Sequence, residues 1–446
     1  VYKMSYNNKY SNKPFESASK TNHTSIINDK DVKNFLNNCH IPSFDKDISQ
    51  HALQSYFLKD LDINPIKNII AIDGGFTDVF VRKEFPSSTI AFFQFGALFF
   101  KYQDLIDMEE KPFIDPDDFS KLQNMQRIKL VLPTKGVTFK NEIDLINSVR
   151  KSIYDFFVKN IENQGLIKAL KWLIFEEYND NNDINWTIAQ CPSCSKPITF
   201  KRNDLSSDYT LHCLHCNETI YLTDVFRLHE VVDNEIGAGG ILGYLCTTIE
   251  QLIIVYLIKE ILNTKADILK ETLIVKDGPL AFFGQTANIH KPMKKLIKYL
   301  NKNYAINLVG LEKSGAFVEH AEMIADKLKN NQIVLLGNSY IYKYILPGQP
   351  KPGSIYGETT YYSHKLIYKS KYDNIYIASI PTMDLKAEPN LSDYINLPIV
   401  LNNIAYLKCD LYYNSLVPVV LANKLVSLSD HPSADILKSF AQQNVL

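Results

Sequence analysis

From residue 271 onward, apolar patterns of strand type and helix type alternate: "ETLIVKD", "PMKKLIKYLNKN", "AINLVGLEK" and "AFVEHAEMIADKL". Such alternation favours an α/β layer architecture, in which helices cover the faces of a sheet. The strand "ETLIVKD" ends in Asp277, followed at once by Gly278 and Pro279. Far upstream, "NIIAID" ends in Asp73, followed by Gly74 and Gly75. One Asp-Gly is ordinary turn chemistry. Two of them at the carboxyl ends of apolar strands carry more weight, because α/β sheets gather their chemistry at that edge.

A third acid is available between them. The Gly-rich "IGAGGILG" precedes the long helical pattern "YLCTTIEQLIIVYLIKEILN", which offers Glu250 and Glu260. Glu260 lies beside Lys259 near the helix end and reads as a solvated pair, so Glu250, which opens the apolar run, is preferred. Carboxylates are the natural ligands of Mg²⁺ and Mn²⁺. A pair of such ions can activate water and stabilise the leaving oxygen of a phosphodiester.

The cysteines add a second constraint. Cys191 and Cys194 ("CPSC") and Cys213 and Cys216 ("CLHC") form two C-x2-C pairs separated by 18 residues. That spacing is the signature of a zinc ribbon, in which two knuckles supply four thiolates to one tetrahedral Zn²⁺ and leave no open position. The segment between the pairs is long enough for a hairpin that brings the knuckles together. Ser195 and Asn217 occupy the positions after the second Cys of each pair, where glycine is common. His212 and His215 flank the second pair as possible substitutes, and Cys39, Cys246 and Cys409 read as isolated buried side chains. A redox dithiol is the other reading of such pairs.

A chain of 446 residues exceeds one ordinary core, and 46% hydrophobic, 12% aromatic and 22% charged residues describe a well-packed globular protein. The formal net charge of -1 provides no global positive field, so any nucleic-acid contact must be local. "HKPMKKLIKYLNK" places Lys291, Lys294, Lys295, Lys298 and Lys302 near one helical face, opposite Leu296 and Leu300; "FKR" sets Phe200 beside Lys201 and Arg202. The central apolar run "LIIVYLI" is short of the roughly 20 residues a membrane span needs. The polar N-terminal stretch lacks a signal-peptide pattern. A cytoplasmic protein without membrane contact is expected. The divisions read as a poorly ordered and helical segment 1–60 with a docking helix at "DKDVKNFLNNCH", a first α/β part 61–185 with a helical insertion, the ribbon 186–222, and a second α/β part 223–446.

These motifs resemble the NurA family of DNA-end-processing nucleases. The matching pieces are "IIAIDGG", "LIVKDGPL", "LVGLEKS" and "VPVVLANKLVSL", in that order over roughly residues 65–100 and 240–430, with the ribbon and its helices between them. The resemblance implies an RNase H-like mixed sheet flanked by helices, a homodimer, Mn²⁺-dependent nuclease activity on DNA, and partnership with a HerA-type hexameric ATPase in DNA repair or antiviral defence. It assigns Asp73, Glu250 and Asp277 as the acids and Lys313 as the basic residue. The sequence departs from the family pattern at Gly75, where Ser is usual, and at Asn423, where the family has His five residues after its Pro. Ser415 stands where a Tyr is expected, with Tyr412 and Tyr413 close by, and His431 is a candidate replacement imidazole.

Two rival classes share parts of the pattern. "IDGGFT" satisfies the D-x-G-x-T phosphate loop of actin-like sugar kinases, although "GAGG" precedes the second Asp-Gly in the wrong order for that fold, and Pro279 lacks an N–H. A catalytically inactive adaptor, binding nucleic acid or the ATPase through the ribbon, is the other.

Overall fold

The computed structural model describes residues 21–39, 53–109, 127–159, 165–179, 184–346, 348, 350–410, 412, 414–428 and 435–445. Helices α1 (Thr21–Asn28) and α2 (Lys30–Asn38) come first. Asp29 caps α2 by accepting from the N–H groups of Asp31 and Val32. No residue of α2 is buried, and Phe35 and Leu36 face solvent, so the expected docking is not made within the described residues. The preceding polar stretch lies outside them.

The core is a nine-stranded mixed sheet in the order β1-β11-β12-β13-β10-β9-β2-β3-β4. Its strands are β1 (Ser55–Phe57), β2 (Asn68–Arg82), β3 (Ser88–Lys101), β4 (Arg127–Lys135), β9 (Thr272–Asp277), β10 (Asn307–Glu312), β11 (Gln332–Leu335), β12 (Ser363–Lys369) and β13 (Ile375–Pro381). β2, β3 and β4 form an antiparallel meander, β9 and β10 run parallel to β2, and the remaining neighbours are antiparallel. Between β3 and β9 lie α3 (Tyr102–Glu109), α4 (Leu145–Lys159), α5 (Gly165–Ile174) and the long α6 (Leu242–Lys265). After β9 come α7 (His290–Asn303), α8 (Ala316–Ile324), α9 (Asn338–Tyr344), α10 (Leu397–Tyr406), α11 (Val417–Val426) and α12 (Asp435–Val445).

Strand alternation divides the core into two layers. Ile70, Ile72 and Ile274 pack with α4, α5, α6 and α7 on one face. Ile69, Ala71, Leu273 and Val275 pack with α10 and α11 on the other. The stretch Gly239–Glu271 is longer than the sequence reading allowed and has the length and composition to cross a membrane, yet 72% of its apolar window is buried inside the fold, as in a core helix.

The cysteine segment forms two small hairpins, β5 (Asn185–Ile188) with β6 (Ile198–Lys201) and β7 (Thr210–His212) with β8 (Thr219–Tyr221). Each C-x2-C pair lies in the turn of its own hairpin, whereas a single hairpin between the pairs was expected. Ile188, Phe200 and Ile220 join the core layer shared with α4 and α5. Arg150 of α4 locks the segment in place. Its guanidinium donates to Asp224 at 3.1 and 2.8 Å, to the Thr219 carbonyl at 2.6 Å and to Glu218 at 3.2 Å.

Candidate active site

The parallel strands stop at slightly different depths, and that stagger builds a cleft. β2 pairs with β9 as far as Ile72 opposite Lys276, and β9 pairs with β10 as far as Leu311 opposite Asp277. Asp277 ends its strand, as expected. Gly278 follows with φ +81°, and its N–H donates to the Leu311 carbonyl at 2.6 Å. Asp73 differs from expectation: it lies within β2, which runs on to Arg82 as one arm of a hairpin with β3. Its carboxylate still reaches the sheet edge, because the pairing of β2 with β9 stops one residue earlier, at Ile72 opposite Lys276.

Gly74 and Gly75 are therefore strand residues, selected by close packing instead of a turn. A Cβ on Gly74 would lie 2.6 Å from the Phe95 ring and 3.0 Å from Glu250 Oε1; one on Gly75 would lie 2.9 Å from the Val426 carbonyl. Both glycines are paired in the ladder with β3, against Phe95 and Gln94. This placement opposes the phosphate-loop reading, which needs free N–H groups.

The cleft holds about 400 Å³ and is lined by Asp73, Glu250, Lys276, Asp277, Glu312 and Lys313, among others. By the alternation of their strands, Asp73 and Asp277 belong to the face covered by α11, whereas Lys276 belongs to the face covered by α6. Glu250 reaches the sheet edge from α6 and meets Lys276, whose Nζ stands 2.6 Å from Glu250 Oε2. Both are buried, and the same ammonium also donates to the Asp277 carbonyl. Across the cleft, Lys313 Nζ lies 2.7 Å from Asp277 Oδ2. The four residues assigned from the sequence thus meet in one cleft. Glu260, the other helix acid, is paired with Lys259 at 3.3 Å, away from the cleft. Lys276 was missed, although a lysine inside "LIVKD" was a visible anomaly.

Charge crowding sets the electrostatics. Burial, then Asp277 and Glu250, push the Asp73 carboxyl up to about 7, while Lys313 and the Asn423 side chain pull the other way. Burial also raises Glu250, against the pull of Lys276. Burial opposes the charge of Lys276, but Glu250 outweighs it and holds the ammonium above its usual range. Asn423 accordingly faces Asp73 from α11. Tyr412 is exposed and Ser415 buried, whereas Tyr413 and His431 lie outside the described residues.

Asp73 Oδ1 accepts the Gly74 N–H at 2.8 Å; the buried Oδ2 makes no close hydrogen bond, and the Asn423 side chain that approaches this carboxyl stops short of one. An orphaned carboxylate oxygen with a raised pKa, beside two further carboxylates, fits a hard divalent cation. The three acids are not drawn together as tightly as the cysteines. Among the described residues, the group of metal-type donors within 4.8 Å of one another is Cys191, Cys194, Cys213 and Cys216. Two lysines offset the crowding of the acids: Lys276 holds Glu250 and Lys313 holds Asp277.

The cysteine cluster could hold a metal such as zinc. Sγ atoms of Cys191 and Cys216 lie 3.7 Å apart, and those of Cys194 and Cys213 lie 3.8 Å apart. Ser195 and Asn217 both adopt left-handed backbone, at φ 57° and 61°, as the knuckle turn demands. His212 and His215 are not part of the cluster. Cys246 and Cys409 are buried as expected, but Cys39 is exposed.

The basic candidates are engaged internally. On α7, Lys294 donates to the Glu358 carbonyl at 3.0 Å, Lys295 pairs with Glu176 and Lys298 with Asp384. Arg202 lies 3.2 Å from Glu177. Phe200, expected beside Lys201 and Arg202 in a local nucleic-acid patch, instead packs in the core against Phe175.

No family model matches the chain, and no curated protein matches it. Among solved structures, the NurA nuclease from Sulfolobus solfataricus aligns over 96% of this chain and 97% of its own, at 7% identity and a TM-score of 0.33. A likeness of that grade carries no inference about chemistry.

Proposed function

We propose that the chain is a divalent-metal-dependent nuclease that hydrolyses phosphodiester bonds of DNA in the cleft between Asp73, Glu250 and Asp277. The observation that carries this reading is the orphaned, buried Oδ2 of Asp73, facing a cleft whose other donors are carboxylates. The strand order β4-β3-β2-β9-β10, with a helix-borne Glu250, is the arrangement expected of an RNase H-like core.

Asp73 and Asp277 would hold Mn²⁺ or Mg²⁺, with Glu250 behind them. When bound, such an ion supplies Lewis-acid activation of the scissile phosphate and lowers the pKa of the attacking water. Gly278 bears no Cβ where a nucleic-acid backbone would approach. Lys313, with its side chain one-third exposed, can swing from Asp277 to offset the charge that develops on the phosphate. Asn423 cannot titrate near neutrality; at Asp73 it can orient the carboxylate but cannot carry the proton that a His would.

The four-cysteine cluster is proposed as a structural Zn²⁺ site with no open position. The sequence motifs extend the proposal to linear DNA, a homodimer and a HerA-type ATPase. DNA contact through Lys294, Lys295, Lys298, Lys201 and Arg202 would require their present intramolecular partners to be exchanged for phosphate, giving strongly salt-dependent binding.

A second reading, an inactive adaptor, is favoured by the Lys276–Glu250 pair, which satisfies one acid without a metal. Cleavage of end-labelled linear DNA by the purified, zinc-containing chain separates the two. A nuclease cuts when Mn²⁺ or Mg²⁺ is added and is silent without it; an adaptor binds DNA or the ATPase and cuts under neither condition.

A further inference from the structure

Two-metal nuclease sites place their ions about 3.5–4 Å apart between shared carboxylates, so each ion needs its own corner of donors. Here one corner is already filled. Lys276 is 2% exposed, its Nζ lies 2.6 Å from Glu250 Oε2, and it also donates to the Asp277 carbonyl. The ammonium sits under the cleft floor, where a Cβ on Gly278 would be 3.6 Å from it.

Lys276 is packed far more tightly than Lys313. It projects from a central strand flanked on both sides by β2 and β10, and its face of the sheet is covered by α6. Lys313 is different: its side chain is 34% exposed and free to leave Asp277. The open donor belongs to the other corner, at Asp73, whose Oδ2 is buried and unpartnered.

Resting on the nuclease reading above, we propose that Lys276 takes the place of a second divalent ion, so that this cleft binds one ion per chain instead of a pair. Formal charge is consistent with that count. With Glu312 neutralised by Lys365 at 2.8 Å, one divalent ion and the buried ammonium together balance the other three carboxylates and leave Lys313 for the incoming phosphate. A second ion would add two positive charges to a site that already contains a permanent cation. Lys276 is a positioning residue in this account, fixing Glu250 and excluding an ion without touching the substrate.

The test is the Mn²⁺ count of the full-length, zinc-loaded protein, measured by calorimetry and by electron paramagnetic resonance. The wild type is expected to bind one Mn²⁺ per chain in the cleft and to show an uncoupled, mononuclear spectrum. Lys276→Met should admit a second ion and show the exchange-coupled spectrum of a Mn²⁺ pair. The double variant Lys276→Met/Glu250→Gln, in which position 250 no longer carries a charge for a second ion to balance, should return to one ion. A coupled pair in the wild type overturns the proposal while leaving metal-dependent cleavage intact. A folded Lys276→Met that still takes one ion also overturns it. No Mn²⁺ in the wild type overturns both this proposal and the nuclease reading. If Lys276→Met fails to fold, judged by circular dichroism and zinc content, the wild-type count alone decides.

Discussion

Lys276 Nζ stands 2.6 Å from Glu250 Oε2, and both side chains are at least nine-tenths buried. Removing one member of such a pair leaves a buried charge uncompensated, which typically costs about 3–5 kcal/mol. Lys276→Met is therefore expected to lower the urea midpoint substantially without added divalent ions. Mn²⁺ should restore part of the loss, because the ion supplies the missing positive charge. A midpoint unchanged by the substitution would mean that the pair does not form in solution.

The raised pKa of Asp73 predicts an unusual pH dependence. Its value in the fold is about 7, against 3.8 for an unperturbed Asp. Between these values the folded chain keeps a proton that the unfolded chain has released. This carboxyl therefore favours the fold most at low pH, and its contribution is lost as pH rises through about 7. Asp73→Asn removes the effect, so the stability difference between wild type and variant should grow in favour of the variant from about pH 4 to pH 7. Saturating Mn²⁺ should abolish that trend. Denaturant titrations of both proteins across this window provide the check.

Arg150 ties the two-hairpin segment to α4 through Asp224, each side chain being 3% exposed. Arg150→Met should cost about 3 kcal/mol or more, since the buried Asp224 would lose its guanidinium and keep only the Tyr221 N–H at 2.9 Å and the His229 ring at 3.9 Å. The loss is expected to appear in chemical denaturation and as faster release of metal from the cysteine cluster.

Ser195 holds a left-handed conformation at φ 57°. A non-glycine residue pays about 1–2 kcal/mol there relative to a right-handed one. Ser195→Gly should therefore stabilise the protein by up to about 1 kcal/mol, after the entropy cost of glycine is set against the relief. Ser195→Val should destabilise it and weaken metal retention, and thermal unfolding with zinc analysis distinguishes the outcomes.

What was readable from sequence follows the length and purity of each pattern. β9, α7, β10 and α8 carry apolar runs at one period, and their positions match the alternation. β4 was hidden because "RIKLVLPTK" alternates charged and apolar residues inside a segment that reads as charged overall. Strands β1 and β11 have only three and four residues, too short for a period to emerge. At the site, Asp73 and Asp277 were legible because Asp-Gly ends an apolar run. Lys276 was not, since a lysine in a buried strand acquires meaning only through Glu250, which lies on a different element. The extension of β2 past Asp73 escaped notice for a related reason: Gly74 and Gly75 look like turn residues until Phe95 and Val426 show why no Cβ fits.

The most direct measurement is the Mn²⁺-dependent cleavage rate of linear DNA by Asp277→Asn, compared with wild type at equal zinc content. Losing a carboxylate that holds the ion should remove several kcal/mol of transition-state stabilisation, a fall of about 100-fold or more. That loss is expected with folding and zinc content unchanged. Wild-type cleavage by a folded Asp277→Asn would contradict it and return Asp277 to the role of a strand-ending turn residue.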